Sequence, residues 1–313
     1  MTAPVQRLRL SPVPRDGRIR VISPASFAKD QRMTLGMDRL RSLGFRPEAG
    51  AHTQAHGPLY FAGNAVERLA DLHAAFENPA FSWVAAVRGG YGSNYLLDGL
   101  DLSLIRSHPK PFFAYSDLTG VQLQLLDRIG LPAFHGPMVA ADFYLEDGIH
   151  MSSFRAALAG VPYRVGAEEG LRTLRPGVAR GTLYGGCLSI IVSLIGTPWE
   201  PCTEDKLLFL EDTGAKPYQV DRMLWQLRVA GKLNSVRGII FGEMLACATP
   251  GAEDGLLEDA ILHALDGLDI PIAFGLRSGH VLRQNVTLTF GVEAELNADT
   301  RAELHVLEPA VQA

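Results

Sequence analysis

The sequence predicts an α/β protein with an N-terminal, doubly wound, mostly parallel sheet and a smaller, β-rich C-terminal domain. Its length of 313 residues suits two domains, because a domain typically holds roughly 100–200 residues. In the first half, apolar strand patterns alternate with amphipathic helix patterns, and this order favours right-handed crossovers and a parallel sheet. In the second half, strand patterns outnumber helix patterns. This change predicts a second, β-rich domain.

The N-terminal α/β domain is predicted to span residues 1–160. Short apolar runs predict its strands at residues 18–23, 83–87, 112–115 and 131–134. Apolar side chains at helical spacing predict its helices, namely Leu35, Leu40 and Leu43, then Val66, Leu69, Leu72 and Phe76, and finally Val121, Leu125 and Ile129. Strands and helices therefore share this half of the chain, as in a doubly wound sheet.

Residues 161–180 are interpreted as a linker, and residues 181–313 as the C-terminal domain. The periodicity fades in the linker, whose turn-forming residues are Pro162, Gly166, Gly170, Pro176 and Gly177. Strand-like runs are then expected at residues 178–184, 206–210, 236–241, 286–290 and 302–306. The clearest helix pattern covers residues 217–230, with Pro217 suited to its first turn.

Composition and charge argue against several classes of function. Hydrophobic residues make up 47% and charged residues 20% of the chain, as in ordinary globular proteins. The formal net charge is -5 and no run of Lys and Arg is present, so a nucleic-acid partner is not expected. No apolar run has the length of a signal peptide or of a membrane span. We therefore expect a cytoplasmic protein with a small-molecule ligand and no membrane partner.

Neither a disulfide framework nor a metal centre is predicted. The cysteines Cys187, Cys202 and Cys247 are odd in number and form no C-x-x-C pair, so they are interpreted as buried thiols. His52 and His56 have the spacing of one helical turn, but they lie among glycine and proline and lack the glutamate of a zinc-peptidase motif.

Ser116 is the candidate nucleophile. It lies where the apolar run 112–115 gives way to an amphipathic helix. A tight strand-to-helix turn holds a hydroxyl above the sheet edge, and the first N–H groups of the helix point at an oxyanion formed beside it. The pair Ser116-Asp117 before a helix is also typical of an N-cap, so both interpretations stay open on local sequence.

A glycine-rich segment, residues 88–92, follows a predicted strand and is expected at the same carboxyl edge as Ser116. The amide of Asp117, together with an amide of Gly89 or Gly90, would suffice for an oxyanion hole. A dinucleotide or phosphate loop is a rival interpretation, but neither the G-x-G-x-x-G spacing nor a following Gly-Lys-Ser/Thr is present. A plain tight turn is the other alternative.

His280 and Glu211 are the candidate base and acid. His280 lies in a polar, glycine-flanked loop after the strand-like run 271–274. Glu211 ends the apolar run 207–210, where a partly buried carboxylate can orient a histidine by accepting its ring N–H. Asp212 follows directly and equally suits a turn. The order of nucleophile, acid and histidine also occurs in α/β-hydrolases, although G-x-S-x-G is missing here.

Five blocks of sequence, taken in order, resemble one known family. They are residues 88–92, Tyr115-Ser116-Asp117, residues 185–189 with 196–199, residues 210–212 with 218–224, and Gly279-His280. They are similar to blocks of the LD-carboxypeptidases, or muramoyltetrapeptide carboxypeptidases, and the match runs in order over roughly residues 18–295.

The resemblance implies a serine peptidase that removes the terminal D-alanine from a murein tetrapeptide by cutting an L,D bond, during cell-wall recycling in the cytoplasm. The implied triad is Ser116, Glu211 and His280, and the implied oxyanion hole is the amide of Asp117 with an amide of the Gly89-Gly90 turn. The nucleophile would come from the N-terminal domain and the other two residues from the C-terminal domain. The resemblance implies no metal or cofactor, and it suggests a homodimer.

Three further residues bear on the resemblance. Ala114 stands where the family often has glycine, and Cys187 stands where it has asparagine, so any hydrogen bond of that amide is in doubt. Arg88, beside the glycine turn, is a candidate to bind the terminal carboxylate of the substrate. A structural hydrogen bond from Arg88 to a nearby carbonyl is the alternative.

Two alternative functions remain open on the sequence. One is a peptidase of the microcin-immunity type, which cleaves peptidyl-nucleotide antibiotics and would need an aromatic such as Trp199 or Trp225 to stack a nucleobase. The other is a non-catalytic two-domain binding protein, in which Ser116 is a helix cap and the Arg88 loop is an anion site.

Overall fold

The protein is built from two β-sheets covered by helices. The computed structural model describes residues 5–248 and 255–312. In chain order the strands are β1 (Arg18–Ile22), β2 (Arg46–Ala49), β3 (Trp83–Ala86), β4 (Phe112–Ala114), β5 (Ala133–His135), β6 (Tyr163–Val165), β7 (Arg172–Arg175), β8 (Val178–Cys187), β9 (Lys206–Glu211), β10 (Gly238–Gly242), β11 (Ile272–Leu276), β12 (Leu288–Phe290), β13 (Glu293–Asn297) and β14 (Glu303–Val306).

The helices lie mainly between the parallel strands. They are α1 (Asp30–Ser42), α2 (Ala65–Glu77), α3 (Leu102–Ser107), α4 (Thr119–Ile129), α5 (Met151–Ala159), α6 (Leu188–Ser193), α7 (Pro217–Val229) and α8 (Leu256–Ala264). Short 3-10 segments occupy Ser93–Gly99, Ser116–Leu118 and Ala167–Glu169, and a π-helical turn occupies Val139–Phe143. No helix in the described ranges is long and apolar enough to cross a membrane.

Local sequence explains where these helices start. α2 begins after Asn64, whose side chain accepts a hydrogen bond from the Glu67 amide at 3.0 Å. The Glu67 carboxylate accepts in return from the Asn64 amide at 2.8 Å, which completes a capping box. α7 carries Pro217 in its first turn, as the sequence predicts, because that position needs no amide donor.

The first sheet has the strand order β12-β5-β4-β3-β1-β2. Strands β1 to β5 are parallel, and β12 pairs antiparallel with β5. The second sheet has the order β6-β14-β13-β8-β9-β10-β11-β7, in which the four central strands β8 to β11 are parallel and the flanking pairs are antiparallel. A parallel sheet in one domain and a β-rich sheet in the other confirm the predicted α/β class.

The segment 161–180, predicted as a linker, carries strands of the second sheet. It contains β6, β7 and the start of β8, and the edge strands β6 and β7 pair with β14 and β11. Its prolines and glycines occupy the turns around these strands, which explains the weak periodicity. The domain limits remain predictions, and their outer ends at residues 1–4 and 313 lie outside the described part of the chain.

The side chains of β9 alternate between two hydrophobic cores, one on each face of the strand. Leu207 and Phe209 pack into the core shared with the first sheet. Leu208 and Leu210 pack into the second core, beneath α6, α7 and α8. Because side chains of a strand alternate between its two faces, Glu211 at the end of β9 points toward the first sheet.

Candidate active site

Ser116 occupies a strained turn at the carboxyl end of the first sheet. β4 ends at Ala114, Tyr115 is extended, and Ser116 has a φ of 66°, in the left-handed region that a non-glycine residue rarely adopts. Such strain persists only where the surroundings enforce it, and it concentrates at functional sites. The cap positions of the 3-10 turn and of α4 belong to Tyr115 and Leu118, neither of which makes a side-chain cap bond. Ser116 is therefore not an N-cap here.

The glycine turn packs directly against Ser116. A β-carbon on Gly89 would lie 2.8 Å from Ser116 Cβ, 3.0 Å from Ser116 Oγ and 3.2 Å from the Asp117 amide nitrogen. Within the described ranges, the amides of Gly89, Gly90 and Asp117 donate no hydrogen bond to another protein group. These three N–H groups are therefore unpaired, and Gly89 and Asp117 lie directly against Ser116, as an oxyanion hole requires.

Serine side chains that the sequence analysis missed hold this turn in place. Ser26 donates its amide to the Gly89 carbonyl at 3.3 Å, and its hydroxyl accepts from the Tyr91 amide at 3.0 Å. Ser93 donates its amide to the Asp117 carboxylate at 2.8 Å and its hydroxyl to the Asp117 carbonyl at 2.6 Å. The side chain of Asp117 thus ties the glycine turn to the Ser116 turn. These contacts join segments far apart in sequence, so no local pattern indicates them.

Glu211 and His280 form a buried pair. His280 Nδ1 lies 2.7 Å from Glu211 Oε2, and the His280 amide donates to the same oxygen at 3.0 Å. Since an ionised carboxylate only accepts, the proton is assigned to Nδ1, which leaves Nε2 free to take a proton. The Glu211 side chain is 1% exposed and that of His280 is 20% exposed. The acid is thus held inside the protein while its histidine reaches solvent.

The electrostatics of this pair favour a charged histidine. Burial alone lowers the pKa of His280, but the Glu211 carboxylate, as a nearby charge and a hydrogen-bond acceptor, raises the pKa above its usual 6.5. Burial likewise favours the neutral form of Glu211, but the charge and hydrogen bond of His280 keep the pKa of Glu211 below its usual 4.5. The imidazolium that forms during a proton transfer is therefore stabilised in place.

Asp212, the neighbouring acid, has a different role. Its carboxylate accepts hydrogen bonds from the Ser189 and Thr213 amides, each at 2.8 Å. It makes no hydrogen bond to His280. Burial raises its pKa. The alternation along β9 thus separates the two acids, because only Glu211 faces the histidine loop.

The histidine loop connects the two sheets. It follows β11 of the second sheet and leads into β12 of the first sheet. The Tyr115 ring meets the His280 ring edge-on, with centroids 5.3 Å apart and an interplanar angle of 83°. Since Tyr115 directly precedes Ser116, the structure brings the Ser116 turn and the Glu211–His280 pair to one site.

The other residues singled out in the sequence have separate environments. Arg88 is exposed, and within the described ranges its guanidinium has no hydrogen-bond or ion-pair partner. Ala114 is buried in β4, and the Cys187 amide donates to Thr119 Oγ1 at 3.1 Å. All three cysteines are free, but Cys202 is exposed, so the prediction of a buried thiol is wrong there. Cys202 follows Pro201 in the loop between α6 and β9.

The paired histidine spacing has no metal-binding counterpart. His52 contacts Asp71 through Nδ1 at 3.0 Å, whereas the His56 ring packs on Phe27 with centroids 4.4 Å apart. In residues 5–248 and 255–312, no group of three or more His, Cys, Asp or Glu side chains is arranged to hold a metal ion.

Two domain models of one protein family match this chain. The model of the LD-carboxypeptidase N-terminal domain matches residues 19–136, and that of the C-terminal domain matches residues 180–296. The chain belongs to the LD-carboxypeptidase family. As a member of this peptidase family it is a peptide hydrolase, and the alternative of a non-catalytic binding protein is wrong.

Relatives that are named as murein peptide carboxypeptidases are similar to almost the full chain. A probable murein peptide carboxypeptidase of Bacillus subtilis is 36% identical over 301 residues, covering 93% of this chain and 91% of the relative. A murein tetrapeptide carboxypeptidase of Pseudomonas aeruginosa is 30% identical, covering 91% and 95%. The crystal structure of muramoyltetrapeptide carboxypeptidase from Oxalobacter formigenes has a TM-score of 0.83 at 28% identity, covering 93% and 99%.

The fold is shared more widely than the sequence. The microcin C7 self immunity protein MccF has a TM-score of 0.90 at 23% identity, with 97% of this chain and 100% of that protein covered. At this identity the likeness concerns the two-domain fold alone.

Proposed function

We propose that this LD-carboxypeptidase releases the terminal D-alanine of murein tetrapeptides, with Ser116 as nucleophile, His280 as base and Glu211 as the acid that orients it. The proposal rests chiefly on the 2.7 Å contact between His280 Nδ1 and Glu211 Oε2, close to the strained Ser116 turn. The names of the relatives support the substrate class.

The first half of the reaction forms an acyl-enzyme. Neutral His280 takes the hydroxyl proton through Nε2 while Ser116 Oγ attacks the carbonyl carbon that precedes D-alanine. The carbonyl oxygen becomes an oxyanion against the amides of Asp117 and of Gly89 or Gly90. Losing one donor of this kind typically lowers turnover by about 10²–10³-fold. Glu211 remains ionised and stabilises the imidazolium.

The second half restores the enzyme. His280 gives its proton to the leaving nitrogen, the C–N bond breaks, and D-alanine departs while the acyl group stays on Ser116 as an ester. Water then attacks this ester and passes a proton to His280. His280 returns the proton to Ser116 Oγ as the ester bond breaks, which releases the shortened peptide.

Arg88 is proposed to hold the terminal carboxylate of the substrate. It is exposed beside Gly89 and Gly90, and its guanidinium has no partner in the described part of the chain. A guanidinium can bind a carboxylate through two parallel hydrogen bonds. Such a contact would restrict the enzyme to the last residue of a peptide.

The test is the release of D-alanine from a purified murein tetrapeptide, measured with D-amino-acid oxidase. We expect release by the wild-type protein, and loss of release in Ser116→Ala while folding by circular dichroism is unchanged. Glu211→Gln should lower kcat strongly, whereas the matched variant Asp212→Asn should retain far more activity. Wild-type release by a folded Ser116→Ala protein would remove the nucleophile from the proposal. A loss in Asp212→Asn with full activity in Glu211→Gln would move the acid by one residue.

Cleavage of a peptidyl-nucleotide is the second candidate reaction. The likeness in fold to MccF motivates it, and the exposed Trp225 indole on α7 is the aromatic that could meet a nucleobase. Trp199 suits this role less, because its side chain packs against the core. Turnover of an aspartyl sulfamoyl adenosine analogue without release of D-alanine from a tetrapeptide would favour this candidate. The cytoplasmic location and the homodimer remain predictions, and sedimentation analysis tests the second.

A further inference from the structure

A buried carboxylate that takes no part in the proposed mechanism lies between the two catalytic segments. Asp142 is in the π-helical turn Val139–Phe143 that follows β5, and it is 4% exposed. Its Oδ2 accepts from the Met138 amide at 2.8 Å. Its Oδ1 accepts from Asn285 Nδ2 at 3.0 Å and from the Tyr115 hydroxyl at 3.3 Å. One oxygen thus receives donors from both segments.

Asn285 carries this contact to the histidine loop. Its Nδ2 also donates to the Gly279 carbonyl at 3.1 Å, and its Oδ1 accepts from the Gly279 amide at 3.0 Å. Asn285 is fully buried. Gly279 directly precedes His280 and has a φ of 88°. The carboxamide therefore holds both backbone groups of the residue that sets the direction of His280.

Tyr115 carries the contact to the nucleophile. It directly precedes Ser116 and is 4% exposed, and its ring meets the edge of the His280 ring. Burial raises the pKa of Asp142 to about 6, even though its hydrogen bonds to Met138, Asn285 and Tyr115 favour the charge. The three donors stabilise the carboxylate form, which can accept from all of them.

We propose that Asp142 and Asn285 form a positioning pair that holds the His280 loop in register with the Ser116 turn. Both side chains are buried, and their hydrogen bonds go to neither the Ser116 hydroxyl nor the His280 ring, so the pair acts through the placement of the two catalytic residues. This inference rests on the proposed function of Ser116 and His280. A misplacement of about 1 Å between reacting groups can lower the rate by about 10²-fold, so a small shift of the loop has a large effect on turnover.

The variants are chosen to break one contact at a time. Asn285→Asp keeps the acceptor for the Gly279 amide but sets a second carboxylate against Asp142 and against the Gly279 carbonyl. Asp142→Asn introduces one mismatched donor among its partners. In the double variant Asp142→Asn, Asn285→Asp the amide and carboxylate are exchanged, so a hydrogen bond between the two side chains can form again.

Tyr115→Phe is the mildest variant, because it removes only the hydroxyl that reaches Asp142. Its matched control is Tyr163→Phe, since the Tyr163 hydroxyl donates to the Thr287 carbonyl at 2.8 Å and has no part in the network. Both changes delete one tyrosine hydroxyl and the hydrogen bond that it donates. They differ in whether that bond belongs to the positioning pair.

Two readouts separate positioning from folding and from substrate identity. The first is kcat and KM for D-alanine release. The second is the rate at which a fluorophosphonate labels Ser116, in which Oγ displaces fluoride from phosphorus while His280 takes the proton. We expect Asn285→Asp to lower kcat and labelling by about 10²-fold with KM little changed, and the double variant to recover part of this loss. Tyr115→Phe should lose about threefold to tenfold, and Tyr163→Phe should match the wild type.

Specific outcomes would overturn the positioning pair. One is a wild-type rate of Ser116 labelling in folded Tyr115→Phe and Asn285→Asp proteins. Another is an equal loss of labelling rate and kcat in Tyr115→Phe and Tyr163→Phe. If Asn285→Asp fails to fold, the comparison of Tyr115→Phe with Tyr163→Phe decides the matter alone. A wild-type enzyme that is labelled at Ser116 but releases no D-alanine would refute the substrate class, and the labelling rates of the variants would still test the pair.

Discussion

Replacing Gly89 by alanine should inactivate the enzyme without unfolding it. The added β-carbon would lie 2.8 Å from Ser116 Cβ, whereas carbon atoms in contact are usually about 3.5–4.0 Å apart. It would also lie 3.0 Å from Ser116 Oγ and 3.2 Å from the Asp117 amide nitrogen. Gly89 does not have a positive φ, so alanine there avoids the strain of the left-handed region. The added methyl group would thus overlap sterically with Ser116 and with the amide of Asp117, a proposed oxyanion donor.

The distances set the expected magnitude. Relief of the overlap requires the Ser116 turn or the glycine turn to move by roughly 0.7 Å or more. A displacement of about 1 Å at reacting groups can lower the rate by about 10²-fold, and loss of an oxyanion donor typically lowers it by about 10²–10³-fold. We therefore expect kcat to fall by at least about 10²-fold. Overpacking of this kind destabilises a protein by about 1–3 kcal/mol, which should leave the variant folded.

The assay compares Gly89→Ala with Gly120→Ala, a glycine in α4 just beyond the nucleophile. A β-carbon on Gly120 would meet Leu194 Cδ1 at 3.4 Å, an ordinary contact, and alanine inside a helix is favoured over glycine by about 0.5–1 kcal/mol. Gly120→Ala should keep full D-alanine release and gain stability in urea unfolding. A folded Gly89→Ala protein with the kcat of the wild type would refute the assignment of this turn to the oxyanion hole.

Further predictions concern the pair of Glu211 and His280. Because the base must be neutral and the pKa of His280 is raised, activity should fall as pH drops through a midpoint above 6.5, and Glu211→Gln should move that midpoint down. The raised pKa of His280 stabilises the folded state fully below pH 6.5, and the lowered pKa of Glu211 stabilises it fully above pH 4.5. The free energy of unfolding that is lost in Glu211→Gln, measured by urea unfolding, should therefore be largest between pH 4.5 and pH 6.5. A flat difference across pH would contradict this coupling. Gly279→Ala should lose both activity and stability, since Gly279 has a φ of 88° and the new β-carbon would lie 2.5 Å from Glu211 Cδ. Activity is measured as kcat and stability by thermal unfolding. A variant as active and as stable as the wild type would refute the close packing of Gly279 against Glu211.

Local patterns in the sequence were enough for the fold class, because strand and helix periodicities are short-range signals. They also placed Ser116 and Glu211 at the ends of apolar runs and His280 in a loop after one, and the structure brings their segments together, although their roles stay predictions. Contacts between residues far apart in the sequence could not be predicted from these local patterns. The bond from Asn285 to Asp142 joins residues 143 positions apart, and a polar residue in a loop has the same local pattern whether it is buried or solvated.

The course of the chain after β11 explains why the proposed site needs both sheets. β12 follows the histidine loop and pairs with β5, which pairs with β4, the strand that leads to Ser116. The histidine loop is therefore anchored at one end in the second sheet and at the other end in the sheet that carries the nucleophile. Glu211 enters from β9 and meets His280 only when the second sheet is formed. Because the acid, the base and the nucleophile depend on strand pairings in two sheets, loss of either sheet should separate all three.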